Sequence, residues 1–417
     1  MNTMRTLLCI ALLLSAGRLV PADATVIEDF LVSWARADGD TLLIGGTMKD
    51  GKHGALCMAD ADGTVTRLCE GRLSSSYDDA VIDDAVIDRA VIDNAVPDDA
   101  VPDGATVFAV GMDLADFRVE AWHNKERLYT KTLDFDGRSV GEARIFAMPD
   151  HILLICRLGE QPKLFIKPCL LVAQLSKKDG SIAHSETVSE YDNLLWAGRD
   201  ESGNVCFMAA NTDGSSETMY VAKLALYRVG EKAVREKQFT YHQEVAEGED
   251  LASLWRMERI QNRFVALAWT RWDYKGVNYL LTADPGSETV EAKTFETDPE
   301  AWPERWFLGE DCFYIWSKTS GETDNQQIEQ VSLDGELTAT YDPDVAVRKA
   351  LVADGWVADE AGLKLTKPGT DLACYVYPDS IEVVQFGDAL LLLYSFRQDD
   401  NAARTTSFRT LVLKQWK

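Results

Sequence analysis

The chain has 417 residues, 46% of them hydrophobic, and carries 68 acidic against 42 basic side chains for a formal charge of −26. A field of that sign repels nucleic acid and anionic lipid surfaces, so nucleic-acid partners are excluded. The apolar fraction is that of a globular chain, long enough for two or three ordinary domains or for one repeated architecture.

Residues 1–24 read as an export leader. Arg5 supplies the positive start, residues 7–16 form an apolar run, and Ala22-Asp23-Ala24 offers small side chains at both recognition positions of a cleavage site. The run is about half of the roughly twenty residues a membrane span needs, and no later segment is longer. The mature chain, 25–417, is therefore expected to be a single soluble domain in the periplasm or outside the cell. Its acidity suits solubility or loose cation binding, and a weak Ca²⁺ affinity is the only cofactor expected.

Next come short, nearly continuous apolar runs at residues 41–46, 106–111, 151–156, 204–210, 263–269, 311–316 and 389–394. Each is rich in β-branched or aromatic residues and bounded by Gly, Asp or Asn, the pattern of a strand buried on both faces. A second strand follows each run, and a third, more polar one follows that. Gly63, Gly137, Gly180, Gly230, Gly286 and Gly335 mark tight turns 43 to 74 residues apart, the widest gap holding a 25-residue insertion. Cys57 and Cys69 flank the first of these turns, and Cys156 and Cys169 flank Gln161-Pro162. Opposed residues of antiparallel strands lie within disulfide range, so both pairs are candidates in an oxidising compartment; buried thiols are the alternative.

The insertion, residues 79–103 within an acidic stretch at 78–104, repeats a pentapeptide: DAVID, DAVID, RAVID, NAVPD, DAVPD. A period of five keeps no apolar side on either a helix or a strand, and Pro97 and Pro102 weaken any ladder. An acidic surface loop enlarged by duplication is expected there. Further on, Asp342 as cap, Pro343 at the first helical position and Gly355 beyond the end describe one short helix within 342–355. The last module stops at residues 411–416, so residues 25–27 are expected to supply its missing outer strand.

Hairpins repeated at a period near fifty indicate an all-β, single-domain β-propeller. Seven apolar runs give seven blades, with six and eight still open. Catalytic signatures are absent: there is no G-x-S-x-G, H-E-x-x-H, P-loop or G-x-G-x-x-G. One anomaly is compositional. Trp255, Trp269, Trp272, Trp302, Trp306 and Trp316 crowd into 62 residues, beside Asp273, Glu304 and Glu310. Aromatic faces beside carboxylates suit sugars or cationic ligands. Trp272, Trp302, Trp306, Asp273 and Glu304 lie nearest expected loops or strand ends and are the ligand-binding candidates.

Two stretches, residues 37–64 and 200–224, are similar to the repeats of secreted bacterial β-propeller proteins. Asp38-Gly39-Asp40-Thr41-Leu42 carries the likeness in one; Ser202-Gly203-Asn204-Val205 followed by Val221-Ala222-Lys223-Leu224 carries it in the other. The resemblance implies the ring fold and an extracytoplasmic location, with no residue roles. The expected function is a non-enzymatic binding or scaffold module for a protein or glycan. The alternative is a propeller enzyme, such as a glycoside hydrolase or lyase, with carboxylates near the central channel. A calcium-dependent surface module is a third option.

Overall fold

A computed structural model describes residues 24–38, 41–48, 53–60, 65–70, 77–83, 106–113, 116–123, 126–161, 165–211, 219–244, 256–260, 262–269, 278–296, 301–319, 326–359, 364–403, 405–414 and 416–417. They form seven antiparallel sheets in chain order, a seven-bladed β-propeller. Six blades are successive four-strand meanders, at residues 30–70, 77–133, 140–188, 193–244, 258–295 and 301–341. The seventh sheet has six strands: Leu372–Phe386, Ala389–Asp400 and Thr405–Leu413 form its body, Lys364–Thr366 and Val357–Ala358 extend it beside Leu372–Phe386, and Ala24–Glu28 closes its other edge by pairing antiparallel with Thr405–Leu413. Both ends of the chain thus share one blade, as expected from the sequence. Asp29 alone links that closing strand to blade 1 and sits at φ 54°, a left-handed turn that Asp tolerates better than most residues.

Every apolar run named above is the second strand of its blade, and the reason lies in the cores. Leu42 and Ile44 pack toward blade 7, while Leu43 packs toward blade 2. Ile152, Leu154 and Cys156 face blade 2, and Leu153 and Ile155 face blade 4. A strand between two neighbours needs apolar side chains on both faces, so alternation disappears. The runs were expected to begin their modules; a further strand precedes each of them. These first strands are broken by register irregularities against the second strand in six blades. Their mixed polarity and bulges hid them.

The loop reading of residues 78–104 needs correction at its start. Tyr77–Asp83 is the first strand of blade 2 and contains the whole first copy of the pentapeptide. Asp79 and Ala80 are buried there. The remaining copies lie outside the described residues. Gly137 is a second correction: it connects blade 2 to blade 3, whereas Gly180, Gly230, Gly286 and Gly335 stand between third and fourth strands.

Neither expected disulfide has the expected register. Cys156 pairs with Leu171 and Cys169 with Leu158, so the two cysteines are diagonal neighbours, and both are free and buried. Diagonal side chains stand farther apart than an S–S bridge allows. Cys57 lies opposite Arg67, and Cys69 lies opposite Leu56; the Cys69 side chain lies outside the described residues. No two of the described cysteines are joined.

Helix Pro343–Ala353 crosses from blade 6 to blade 7. Asp342 caps it by accepting from the Val345 amide at 2.9 Å, and Gly355 ends it at φ 86°. Val347 and Leu351 join Trp356, Tyr394 and Trp416 in the core that covers both blades.

Candidate functional site

The first strands line the ring axis, and their bulges decide what points there. A bulge leaves one extra residue on the strand and re-aims its side chain. The shifts fall between Tyr77 and Asp79, between Val140 and Ala143, and between Pro303 and Arg305. The residues they free include Asp78, Glu142 and Glu304.

Charges from six blades meet at the axis. Arg36 of blade 1 pairs with Asp79 of blade 2 at 3.0 Å and donates to the Ala80 carbonyl at 2.6 Å. Asp79 also accepts the Ile145 amide of blade 3 at 2.8 Å. Arg256 of blade 5 donates through Nε to Glu258 at 2.7 Å and lies over the Trp306 ring at 5.3 Å. Arg305 of blade 6 pairs with Glu382 of blade 7 and donates to the Ser33 carbonyl of blade 1 at 3.2 Å. That one side chain spans three blades. Arg36, Arg305 and Arg256 keep 31%, 34% and 39% of their side-chain surface exposed, so water and a ligand can reach them.

Two carboxyls in this cluster have no partner. Asp78 and Glu142 make no hydrogen bond or ion pair among the described residues, although Arg144 lies within electrostatic reach of both. Desolvation by the surrounding blades pushes Asp78 up to about 6, with Arg144 pulling it down and Asp79 adding to the rise. Glu142 is exposed to solvent at the rim of the cluster, and partial desolvation there raises its proton affinity only in direction, against the pull of Arg144, Arg157 and Arg256. Burial lifts Glu382 to about 7 in spite of Arg305 and Arg256. Titrating groups displaced in this way are common where a protein binds or reacts.

Asp79 is the structural counterpart of these open groups, because its carboxylate ties three blades together from a nearly fully buried position. Asp79→Ala leaves the Arg36 charge and the Ile145 amide without it. A loss of about 3 kcal/mol is expected, read as a lower denaturant midpoint with an unchanged slope.

The sequence candidates fare unevenly. Trp272 and Asp273 lie outside the described residues, as does the side chain of Trp302. Glu304 is exposed and pairs with Lys318 at 3.5 Å. Trp306 was expected near a loop or strand end; it lies within the strand Ala301–Leu308, buried and edge-on to Phe313 at 5.6 Å. It belongs to the core between blades 5 and 6, and touches the axis only through Arg256. Sequence reading missed Asp78, Glu142, Arg144, Arg256, Arg305 and Glu382. Only the adjacency of Asp78 and Asp79 was visible, and the acidic repeats beside them obscured it. No group of three or more His, Cys, Asp or Glu side chains suited to a metal occurs among the described residues.

No family model matches the chain, and no curated protein matches it. Solved structures do match. One is the polysaccharide lyase Uly1, with TM-score 0.47 and 8% identity over 92% of this chain and 90% of that one. Another is Hsv2 of Kluyveromyces lactis, with TM-score 0.43 and 7% identity over 91% and 98%. A third is a putative 6-phosphogluconolactonase from Bacteroides uniformis, with TM-score 0.40 and 12% identity over 89% and 95%. Likeness at this level carries no function across, and the fold rests on the strand topology itself.

Proposed function

We propose that this protein is an exported, non-enzymatic binding propeller that holds a ligand, protein-borne or glycan, at the axis of its ring. One observation carries the reading: Asp78 and Glu142 stand unpaired in a cluster whose other acids, Asp79, Glu258 and Glu382, are each matched to an arginine. Interlocked blades make a rigid frame, and charged groups that several blades bring together at its axis are the polar arrangement a binding site is built from. The leader-like residues 1–24 support export.

A second reading is favoured by Asp78, whose carboxyl is held up to about 6 beside a second carboxyl, Glu142. An acid that keeps its proton toward neutral pH, paired with another carboxylate, can serve as general acid and base, which suits a glycoside hydrolase or lyase.

Arg144 provides the test, since among the described residues its hydrogen bond runs to the Ala143 carbonyl alone, at 2.9 Å. On a glycan array, Arg144→Ala is expected to lose the ligand that the mature protein retains, with the melting temperature moved by no more than about 2 °C. Undiminished retention by the variant would place the site elsewhere. Release of cleaved product from a retained glycan, stopped by Glu142→Gln while retention persists, would decide for the enzyme.

A further inference from the structure

Residues 372–378 begin the longest strand of blade 7, the 15-residue Leu372–Phe386. They lie between Lys364–Thr366 on one side and Ala389–Asp400 on the other. One face of this part of the sheet is closed: Leu365, Cys374, Val376 and Phe396 pack there with Val347 and Leu351 of the helix and with Trp356. Side chains of a strand alternate, so the residues between them point to the opposite face. That face is open, with Tyr375 keeping 50% of its surface exposed and Tyr377 keeping 44%.

A break in register decides what the open face presents. Cys374 pairs with Gln398 and Pro378 with Phe396, so Tyr375, Val376 and Tyr377 stand against Arg397 alone. A bulge re-aims the side chains it carries, and Pro378 fixes the backbone next to Tyr377. Arg397 Nε donates to Asp379 Oδ1 at 2.9 Å, a terminal nitrogen of the same guanidinium lies 2.9 Å from that oxygen, and the Phe408 ring centre is 5.7 Å away. Lys364, opposite Tyr375 on the other neighbouring strand, stands 5.8 Å from the centre of the tyrosine ring. Two tyrosine rings thus stand beside a guanidinium–carboxylate pair, all on paired strands, which hold geometry better than loops.

A tyrosine ring offers an apolar face and a polar tip at small entropic cost. The C–H face of a pyranose ring stacks on such a surface. Vicinal hydroxyls of the same sugar both donate and accept, and a donor and an acceptor held side by side match them. Arg397 keeps 63% of its side chain exposed, so its remaining N–H groups are open to a ligand, while Asp379 supplies acceptor lone pairs. Charge points the same way. Lys364 and Arg397 are balanced by Asp379 and by Asp399, two places from Arg397 on the same strand, so this face is neutral in a chain of net charge −26. A neutral ligand complements it, and the field of the whole chain turns a polyanion away.

We propose that this face of blade 7 is a binding platform for neutral glycans, a pyranose ring stacking on Tyr375 and Tyr377 with its hydroxyls on Arg397 and Asp379. The platform is separate from the axial cluster and does not depend on it.

Titration calorimetry in free solution tests this with cellotetraose, maltotetraose and chitotetraose as neutral probes and tetragalacturonate as the acidic counterpart. An open face without a cleft gives an affinity of about 1 mM, too weak to survive washing on an array. At least one neutral probe is expected to give saturable heat, and tetragalacturonate none. Tyr375→Ala with Tyr377→Ala is expected to weaken binding about tenfold or more. Both side chains are exposed, so the melting temperature is expected to move by no more than about 2 °C. Tyr375→Phe with Tyr377→Phe is expected to bind nearly as the parent does, because stacking needs the rings and not the hydroxyls. Arg144→Ala is expected to bind unchanged.

No heat from any neutral probe at about 10 mM, binding undiminished by the alanine pair, or preference for tetragalacturonate overturns the proposal. Loss of the heat in Arg144→Ala would assign the glycan to the axis instead. A parent that self-associates in sedimentation while the alanine pair does not would make the face a contact between copies. Either result overturns the platform as well.

Discussion

Removing residues 25–28 is expected to lower the melting temperature by about 5–10 °C and to make the protein self-associate. This segment lies in the outer strand of blade 7, in continuous register from Ala24 opposite Leu413 to Glu28 opposite Arg409. Ile27 is buried with Phe30, Leu393 and Val412 at the junction of blades 7 and 1. Glu28 pairs with Arg409 at 2.7 Å, and its carbonyl accepts from Arg67 of blade 1 at 2.7 Å. Losing one buried isoleucine costs about 1.5–3 kcal/mol. The lost ladder and the two arginine contacts add several more, a large share of ordinary domain stability. The bare edge of Thr405–Leu413 would then offer unpaired backbone groups to another chain. Differential scanning calorimetry and sedimentation against concentration read both effects. An unchanged melt would mean that the ring does not depend on this strand.

Acidification is expected to stabilise the protein. Asp78 and Asp344 are held up to about 6 and Glu382 to about 7, burial being the largest cause in each case. Each binds its proton more tightly in the folded chain than in the unfolded one. Stability from these groups is therefore complete below the ordinary carboxylate range, and it is lost as pH rises through about 6 and then about 7. Asp179, Asp200 and Asp354 act in the opposite sense. Hydrogen bonds from Ser181, Asn204 and Lys367 hold their proton affinity down, so their contribution fades as pH falls below about 4.

The two trends place the optimum near about pH 5, several degrees above the melt at about pH 8. Glu382→Gln isolates one share of the effect. The amide has no charge to desolvate, so the variant is expected to exceed the parent at about pH 8 and to match it at about pH 5. A melt that is flat between these values, or a variant weakened equally at both, would remove burial as the cause.

How much of this was legible in the chain follows from what a local pattern records. The seven second strands could be read because each is covered on both faces, which writes a continuous apolar run into consecutive residues such as 42–44 and 152–156. The helix could be read because its cap, proline and closing glycine are neighbours in sequence. The closing strand followed from a count, since a last blade one strand short needs a donor. First strands left a weaker mark, because one face meets the solvated axis and bulges interrupt their alternation. Tyr77–Asp83 was hidden further by carrying the same five letters as the repeats that follow it.

Composition, strand periodicity and turn chemistry determined the ring and its acidity and pointed to seven blades with six and eight open, since these depend on neighbours a few residues apart; the seven sheets fixed the number. The axial cluster was decided by the tertiary structure alone. Arg36, Asp78, Glu142, Arg256, Arg305 and Glu382 come from six blades and meet only because the ring closes. The same holds for the cysteines: a shift of two positions in strand pairing separates Cys156 from Cys169, and no spacing along the chain encodes that shift. Convergence at a centre and register across a hairpin are set by packing between distant segments, where a linear pattern carries no mark.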